Sequence, residues 1–255
     1  MNPRTAAVPG ERTAAVADRR TRADRARQVA DAIRTHIVSG IYAGGVLPRE
    51  PELVAEFRTT RNTVRHALDL LRVDGLVERC PGVGTVVTAD KYSHGLDRLL
   101  GLAEVMREHG PISNEVRAAS VVVPPRAVAS RLELPDGALV IYLERLRRLG
   151  GIPLSLDLTY LPTDVGEQLL DEDLANRDVF GLIEHTTGHR LGDADVAIEA
   201  VNADPHSAAV LDTPRDAALL LVERLTRLDD GRPVDLEFIR FRADRITMRA
   251  QVTRS

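Results

Sequence analysis

The sequence predicts an α+β fold that is divided between two domains. Apolar residues recur at helical spacing through residues 22–74, and a unit of one helix and two strands occurs twice in the second half of the chain. A chain of 255 residues is long enough to give each domain its own core. Residues 1–90 carry 14 arginines against 11 acidic residues, a net charge of +3, whereas residues 91–255 carry a net charge of −7. The positive first part suits a polyanionic partner, although +3 is too modest to decide the matter.

The chain begins with residues 1–19, which are rich in Ala, Arg and Thr and have no helical period. This composition predicts a disordered arm, which is either an extension without function or a basic segment that adds phosphate contacts. A first helix then spans about Arg22 to Val38 and ends at Ser39-Gly40. Its apolar stripe contains Ala26, Val29, Ala30, Ile33 and Ile37.

Two further apolar sets at helical spacing lie close together in residues 47–71. The first occupies a short segment and the second a longer one: Leu53, Val54 and Phe57, then Val64, Ala67, Leu68 and Leu71. Thr60 precedes the second segment, where its hydroxyl can accept a hydrogen bond from the backbone N–H of Asn62 or Thr63. The pattern predicts a short helix followed by a longer helix over Arg61 to Asp74.

Polar residues at the start of this longer helix indicate binding to DNA. With the apolar residues turned inward, Arg61, Asn62 and Arg65 project outward. Arg pairs bidentately with guanine, Asn pairs with adenine, and a helix N-terminus attracts phosphate. These residues predict a helix-turn-helix whose second member is the recognition helix for double-stranded DNA.

A hairpin follows the recognition helix. Residues 76–80 and 85–87 read as two strands, joined by Pro81-Gly82-Val83-Gly84. Glycine in the turn lets the hairpin tip approach a backbone or groove closely. Three helices followed by a hairpin form a winged helix, so residues 20–88 are predicted to be a winged helix-turn-helix domain.

The rest of the chain predicts a linker at residues 89–93, a helix from about Leu96 to Glu108, and then an internal repeat. Residues 125–157 and 205–237 both read as a helix, a turn and two strands. Glu144-Arg145-Leu146 in the first copy lies 79 positions before Glu223-Arg224-Leu225 in the second. The repeat predicts a mixed α/β domain around an antiparallel sheet.

The first domain resembles the DNA-binding domain of GntR-type bacterial transcription regulators. The motifs that carry the resemblance are Ser39-Gly40-Ile41-Tyr42, Leu47-Pro48 with Glu50 and Glu52-Leu53, Arg61-Asn62-Thr63-Val64-Arg65 with Ala67-Leu68, Gly75-Leu76, and Gly82-Val83-Gly84-Thr85. The resemblance implies that DNA is faced by Thr60, Arg61, Asn62, Thr63 and Arg65, with Gly82 at the wing tip.

Two positions depart from the family pattern. Arg49 stands where the family usually has a small Ser or Ala, and Pro51 where it often has a DNA-facing Arg. The loss of Ser is expected to remove a capping box with Glu52, at a cost on the order of 1 kcal/mol. Arg49 is predicted to reach the phosphate that an Arg at position 51 would have met.

The repeat resembles the UTRA effector-binding domain of the HutC subfamily, whose fold is related to chorismate lyase. The resemblance assigns residues 94–252 to effector binding and dimerisation. It implies an effector site formed by Arg145, Arg147, Asp157, Asp178, Phe180, Asp235 and Phe241. Asp178 and Phe180 replace the Ser and Tyr of sugar-phosphate binders, which disfavours an amino-sugar phosphate.

The residues themselves leave two interpretations of Arg145 and Arg147 open. Alternate positions on a strand face the same side, so the two guanidinium groups can clamp one carboxylate or phosphate. Alternatively, they pair with Asp157 and Asp235 across the sheet and serve only the structure.

Together these features predict a cytoplasmic, homodimeric repressor that binds a palindromic operator and responds to a small-molecule effector. The alternative function is a DNA-tethered enzyme that acts on a small metabolite through the chorismate-lyase-like domain. No residue pattern indicates a nucleophile with an activating base, a cofactor, or a metal, since the spacing of His185 and His189 fits a solvated helix end better than a metal site. A single cysteine favours a reducing compartment, and no apolar run reaches membrane-spanning length.

Overall fold

A computed structural model of the chain describes residues 9–42, 45–88, 91–106 and 109–254. The chain divides into two compact units, Met1–Lys91 and Tyr92–Ser255. The division lies within the predicted linker. Among the described residues, no helix is long and apolar enough to cross a membrane.

The N-terminal unit is a winged helix. Helices α1 (Pro9–Val38), α2 (Glu50–Glu56) and α3 (Arg61–Val73) are followed by the antiparallel strands β1 (Val77–Cys80) and β2 (Gly84–Val87). The predicted apolar stripes form its core, which contains Val29, Ala30, Ile33, Leu53, Val64, Ala67, Leu68, Leu71 and Leu76. Because α3 is packed through its apolar face, its opposite face remains at the surface.

The start of α1 corrects the sequence prediction. The helix begins at Pro9 rather than near Arg22, so residues 9–19 are helical and not irregular, while residues 1–8 of the predicted arm lie outside the described residues. Ala and Arg are among the strongest helix formers, and extending an existing helix costs far less than starting one. A segment without an apolar stripe can therefore continue a helix whose second half is packed.

The C-terminal unit is built on a six-stranded antiparallel sheet in the order β4-β5-β6-β9-β8-β7. Its strands are β4 (Ile112–Val122), β5 (Val140–Leu149), β6 (Ile152–Pro162), β7 (Leu191–Asn202), β8 (Ala218–Leu228) and β9 (Pro233–Arg242). Helices α6 (Thr163–Leu169) and α7 (Val179–Thr187) cover one face, and α5 (Arg126–Arg131) and α8 (Pro205–Val210) cover the other.

The predicted repeat is visible as an internal pseudo-twofold arrangement. The first copy contributes β4, α5, β5 and β6, and the second contributes β7, α8, β8 and β9. The copies meet where β6 pairs with β9 at the middle of the sheet. Arg145 lies opposite Asp157 in the first hairpin, and Arg224 lies opposite Glu237 in the second. Equivalent charged pairs therefore face each other across the centre of one sheet.

Two predictions about the segment between the repeat and the winged helix are wrong. Tyr92 and Ser93, which were predicted to end the linker, belong to strand β3 (Tyr92–Gly95). This strand pairs in parallel with β10 (Ile246–Arg249). Residues 89–90 lie outside the described residues. The predicted helix over 96–108 is reduced to α4 (Leu102–Val105), because the preceding backbone bonds instead to β10 and Gly101 serves as the N-cap.

Candidate DNA and effector sites

The recognition helix begins as its sequence predicts. Thr60 is the N-cap of α3, and its hydroxyl oxygen accepts a hydrogen bond from the backbone N–H of Thr63 at 3.2 Å. The side chains of Arg61, Asn62 and Arg65 are exposed next to this start. The exposed helix N-terminus and these donors form one continuous surface that suits an anionic, base-bearing partner.

Thr63 differs from the other residues that the family resemblance placed on DNA. It is only 9% exposed, and its hydroxyl lies 2.8 Å from that of Thr60. The buried position arises because Thr63 precedes the inward-facing Val64 on the apolar side of α3. Its hydroxyl therefore fixes the first turn of the helix beside Thr60.

Arg49 is the exposed N-cap of α2 and makes no side-chain capping bond. Its backbone N–H nevertheless donates to the Glu52 carboxylate at 2.7 Å. The expected loss of the capping box is thus only half correct: the bond from the N-cap side chain is gone and the reciprocal bond to Glu52 remains. The Arg49 side chain lines the groove beside α2.

Glu50, which was not among the predicted site residues, connects α2 to the recognition helix. One of its oxygens, Oε2, accepts from the Nε–H of Arg61 at 3.1 Å and from the Nε–H of Arg65 at 3.0 Å. These bonds lower the pKa of the Glu50 carboxyl group, the hydrogen bond from Arg61 being the largest cause. No local sequence signal reveals the contact, because it joins residues on two different helices.

The hairpin borders a groove beside the recognition helix. Gly82 lies at its turn with φ +80, a left-handed conformation that favours glycine. The groove has a volume of about 740 Å³ and is lined by arginines from α3, the N-cap of α2 and the wing: Arg49, Arg65, Arg72 and Arg79. The carboxylates of Glu50, Glu52 and Asp69 also line the groove, so its four guanidinium groups give it a net positive charge of only one, which still suits a phosphate backbone.

In the C-terminal unit, a band of polar side chains crosses the face of the sheet that α6 and α7 cover. The band consists of Arg145, Arg147, Ser155, Asp157, Thr159, Arg224, Thr226, Asp235 and Glu237. All of them are buried except Arg224, whose side chain is 11% exposed. Buried charge on this scale is costly to folding unless the groups are paired and hydrogen-bonded.

The two predicted arginines have different partners in the structure. Arg147 forms an ion pair with Asp157 and lies 3.8 Å from Asp178, as the structural interpretation expects. Arg145 is fully buried, and none of its guanidinium nitrogens has a hydrogen-bond partner within the described part of the chain. The same holds for both carboxylate oxygens of Asp235. The predicted pairing of Arg145 and Asp235 across the sheet is therefore absent among the described residues.

Five of the predicted effector residues surround or adjoin a small cavity. Arg147, Asp157 and Phe241 line it, and Asp178 lies beside Arg147 as the N-cap of α7. The cavity measures about 30 Å³, room for roughly one water molecule. Phe180 lies next to it, with its ring centroid 4.4 Å from the guanidinium carbon of Arg224. A neighbouring cavity of about 210 Å³ shares His94, Leu96, Val196 and Arg224 with this one.

Two polar residues that line this cavity were not among the predicted site residues. Arg224, which lines the cavity, forms an ion pair with Glu237 and is the repeat equivalent of Arg145, so the Glu-Arg-Leu repeat contained the signal. His94 on β3 also lines the cavity, and no sequence signal indicated it. Burial, reinforced by Arg224 and Arg147, lowers the pKa of His94 to about 4, which keeps its imidazole neutral near pH 7.

Burial and the neighbouring Glu237 raise the pKa of Asp235 well above its usual value. The band and Asp178 thus combine three guanidinium groups with four carboxyl groups. An arrangement of strong donors and acceptors around an apolar-walled cavity recognises a small polar molecule. Among the described residues, no cluster of His, Cys, Asp and Glu could hold a metal ion.

A winged helix with an exposed basic recognition surface, joined to a sheet domain with a polar cavity, defines a ligand-responsive DNA-binding regulator. Comparison with known proteins supports this class. Residues 25–87 match the family of bacterial regulatory proteins described as gntR, and residues 108–247 match the UTRA domain. The chain belongs to the GntR family of transcription regulators, in the subgroup that carries a UTRA domain.

Relatives of similar length agree with this assignment. A helix-turn-helix transcriptional regulator of Rhizobium meliloti is 30% identical over 88% of this chain and 93% of its own length. The transcriptional repressor NagR of Bacillus subtilis is 25% identical over 86% of this chain and 91% of its own. The crystal structure of PhnF from Mycobacterium smegmatis superposes with a TM-score of 0.65 and 25% identity, covering 89% of this chain and 100% of that one. The chain is thus a DNA-binding transcriptional regulator with a small-molecule effector domain, and nothing in these relatives supports the enzyme alternative.

Proposed function

We propose that the protein is a homodimeric, cytoplasmic repressor that reads a palindromic operator through α3 and the wing. The observation that carries this proposal is the exposed set of Arg61, Asn62 and Arg65 at the N-terminal end of a capped recognition helix. Arg61 and Arg65 contact bases or phosphates, and Asn62 reads bases. Thr60 and Thr63 fix the register of the helix start.

The groove beside α3 supplies the sequence-independent part of the affinity. Arg49 reaches a phosphate from the start of α2, and Gly82 lets the wing tip approach the DNA backbone. A second protomer, joined through the C-terminal unit, places another α3 in a major groove one helical turn away, about 34 Å along the DNA. The name of the relative NagR, a transcriptional repressor, agrees with repression here.

The effector binds at the polar band of the C-terminal unit. Its contacts come from Arg145, Arg147, Asp157, Asp178, Phe180, Asp235 and Phe241, to which the structure adds Arg224 and His94 as neighbours of the cavity. Guanidinium groups offer donors to a carboxylate or phosphate, and the Asp178 carboxylate offers an acceptor to a hydroxyl or amine. The effector controls DNA binding only if it binds one arrangement of the protein better than the other.

The proposal is tested by selecting duplexes from a random pool with the purified full-length protein, and again with Arg61→Ala. Enrichment of a palindrome with half-sites about one helical turn apart supports a dimeric, sequence-specific repressor. Genes beside matching genomic sites then indicate which metabolites to try as effectors. Binding that follows salt concentration alone, without an enriched sequence, contradicts the proposal.

A further inference from the structure

A single carboxylate oxygen holds both arginines of the recognition surface. Glu50 is the first residue of α2, and its Oε2 atom accepts one hydrogen bond from Arg61 and one from Arg65. Arg61 and Arg65 are one helical turn apart on α3. The contact therefore sets the direction of two long side chains that would otherwise sample many rotamers.

The atoms used in the contact leave the DNA-reading edge of each arginine available. Glu50 takes the Nε–H of both guanidinium groups, and the terminal nitrogens of neither one donate a hydrogen bond within the described residues. Bidentate pairing with guanine or phosphate requires two parallel N–H donors on one guanidinium group. The terminal nitrogens supply such a pair while Nε remains bonded to Glu50.

Exposure agrees with this division of roles. The Glu50 side chain is 22% exposed, whereas those of Arg61 and Arg65 are 67% and 51% exposed. The carboxylate thus lies beneath the two cations, which project past it toward solvent. Its lowered pKa keeps it ionised at neutral pH.

We infer that Glu50 is a positioning residue that sets the sequence specificity of the recognition helix. The inference rests on the proposed function, since it concerns the same DNA-reading surface. Glu50 favours the operator because Arg61 and Arg65 arrive already oriented, which reduces the ordering cost of binding. Its negative charge also weakens binding to any DNA backbone, so it lowers non-specific affinity at the same time.

The test compares wild type, Glu50→Gln and Glu50→Ala in the full-length protein. Each is titrated against the duplex enriched in the selection and against a scrambled duplex of equal composition, at several salt concentrations. We expect the ratio of operator to scrambled affinity to fall by about tenfold in Glu50→Ala, with a smaller fall in Glu50→Gln, which keeps a weaker acceptor. Affinity for the scrambled duplex should rise and depend more steeply on salt, because the released arginines reach phosphates.

Asp69→Asn is the matched control. Asp69 accepts from Arg72 at 2.6 Å on the same helix, two turns beyond Arg61, so this variant removes one negative charge and one arginine contact from the same domain. Asp69→Asn should raise the affinity for both duplexes and leave the ratio of operator to scrambled affinity nearly unchanged. An unchanged ratio in the Glu50 variants, or an equal fall in Asp69→Asn, would overturn the inference.

A measurement without DNA separates this inference from the proposed function. The NMR signals of the Arg61 and Arg65 Nε–H groups should be protected from exchange in the free wild type and lose that protection in Glu50→Ala, which removes the acceptor. Absence of protection in the wild type contradicts the positioning role. Protection in a wild type that enriches no duplex instead means that the geometry is correct and the operator-binding proposal is wrong.

Discussion

The N-terminal unit keeps the arginines proposed to bind DNA at the surface, whereas the C-terminal unit buries those proposed to bind the effector. Arg61 and Arg65 are more than half exposed and share one carboxylate, while Arg145 and Arg147 lie beneath two helices among four carboxyl groups. Exposed ion pairs contribute about 0–1 kcal/mol to stability, but breaking a buried pair costs several kcal/mol. Substitution of the exposed arginines is therefore expected to change binding without loss of fold, whereas substitution of the buried ones is expected to affect folding as well.

The largest expected effect tests the buried side of this comparison. Asp157→Ala leaves the guanidinium group of Arg147 buried without its main partner. We expect unfolding free energy to fall by about 3–5 kcal/mol, as measured by urea denaturation. Asp69→Ala, which removes the partner of the exposed Arg72, is the control and should cost less than about 1 kcal/mol. Similar losses in both variants would mean that burial does not distinguish the two units.

The second effect depends on pH. The pKa of His94 is lowered to about 4 in the folded protein, from 6.5 for an unperturbed imidazole. Between pH 6.5 and pH 4, His94 therefore binds a proton in the unfolded chain but not in the folded protein. The free energy of unfolding decreases as the pH falls through this range. The shift corresponds to roughly 3 kcal/mol at pH 4 relative to pH 7.

His94→Gln should remove this part of the pH dependence. The raised pKa of Asp235 makes the folded protein bind a proton more readily, so Asp235 changes the free energy of unfolding with pH in the opposite direction. Asp235 is present in both proteins, so the difference between their unfolding free energies at each pH reports on His94. The measurement is urea denaturation of both proteins between pH 4 and pH 7. Parallel curves for the two proteins would show that His94 is not held neutral by burial.

The third effect concerns binding at the exposed surface. Arg61→Ala should weaken operator binding by about 1–3 kcal/mol, because it removes a guanidinium group from the N-terminal end of α3. Stability should hardly change, since the side chain is mostly exposed. A gel-shift titration measures the first quantity and thermal unfolding the second. Operator affinity equal to that of wild type would refute the assignment of α3 as the recognition helix.

The smallest effect tests the start of the recognition helix. Thr60→Ala removes the hydroxyl that accepts a hydrogen bond from the backbone N–H of Thr63 at the start of α3. The free energy of unfolding should fall by about 1 kcal/mol. Thr60→Ser keeps the cap and serves as the control. The thermal midpoints of the two variants should differ, and coincident midpoints would show that the cap contributes nothing.

Much of the fold could be predicted because its signals are local. The apolar period of α3, the cap at Thr60 and the glycines of the wing each act within a few residues. The two copies of the repeat predicted both hairpins of the sheet for the same reason. The predicted helix over 96–108 failed because a distant strand, β10, provides hydrogen bonds for the backbone that comes before it.

The effector site could be predicted only in part. The resemblance named residues that the structure does gather around one cavity, including Arg147, Asp157 and Phe241. It missed His94, which reaches the cavity from a segment that had been assigned partly to a linker. Which arginine is paired and which is left without a partner depends on atomic distances that no sequence pattern contains.

The sequence by itself determined that there are two domains, where the recognition helix begins, and that the second domain is a duplicated α/β unit. These features follow from periodicity, capping and repetition, which act between near neighbours or between identical patterns. Only the tertiary structure decided that Glu50 holds Arg61 and Arg65, and that Arg224 faces the same cavity as Arg147. Those contacts join side chains from separate elements, and the packing of the whole unit fixes their distances.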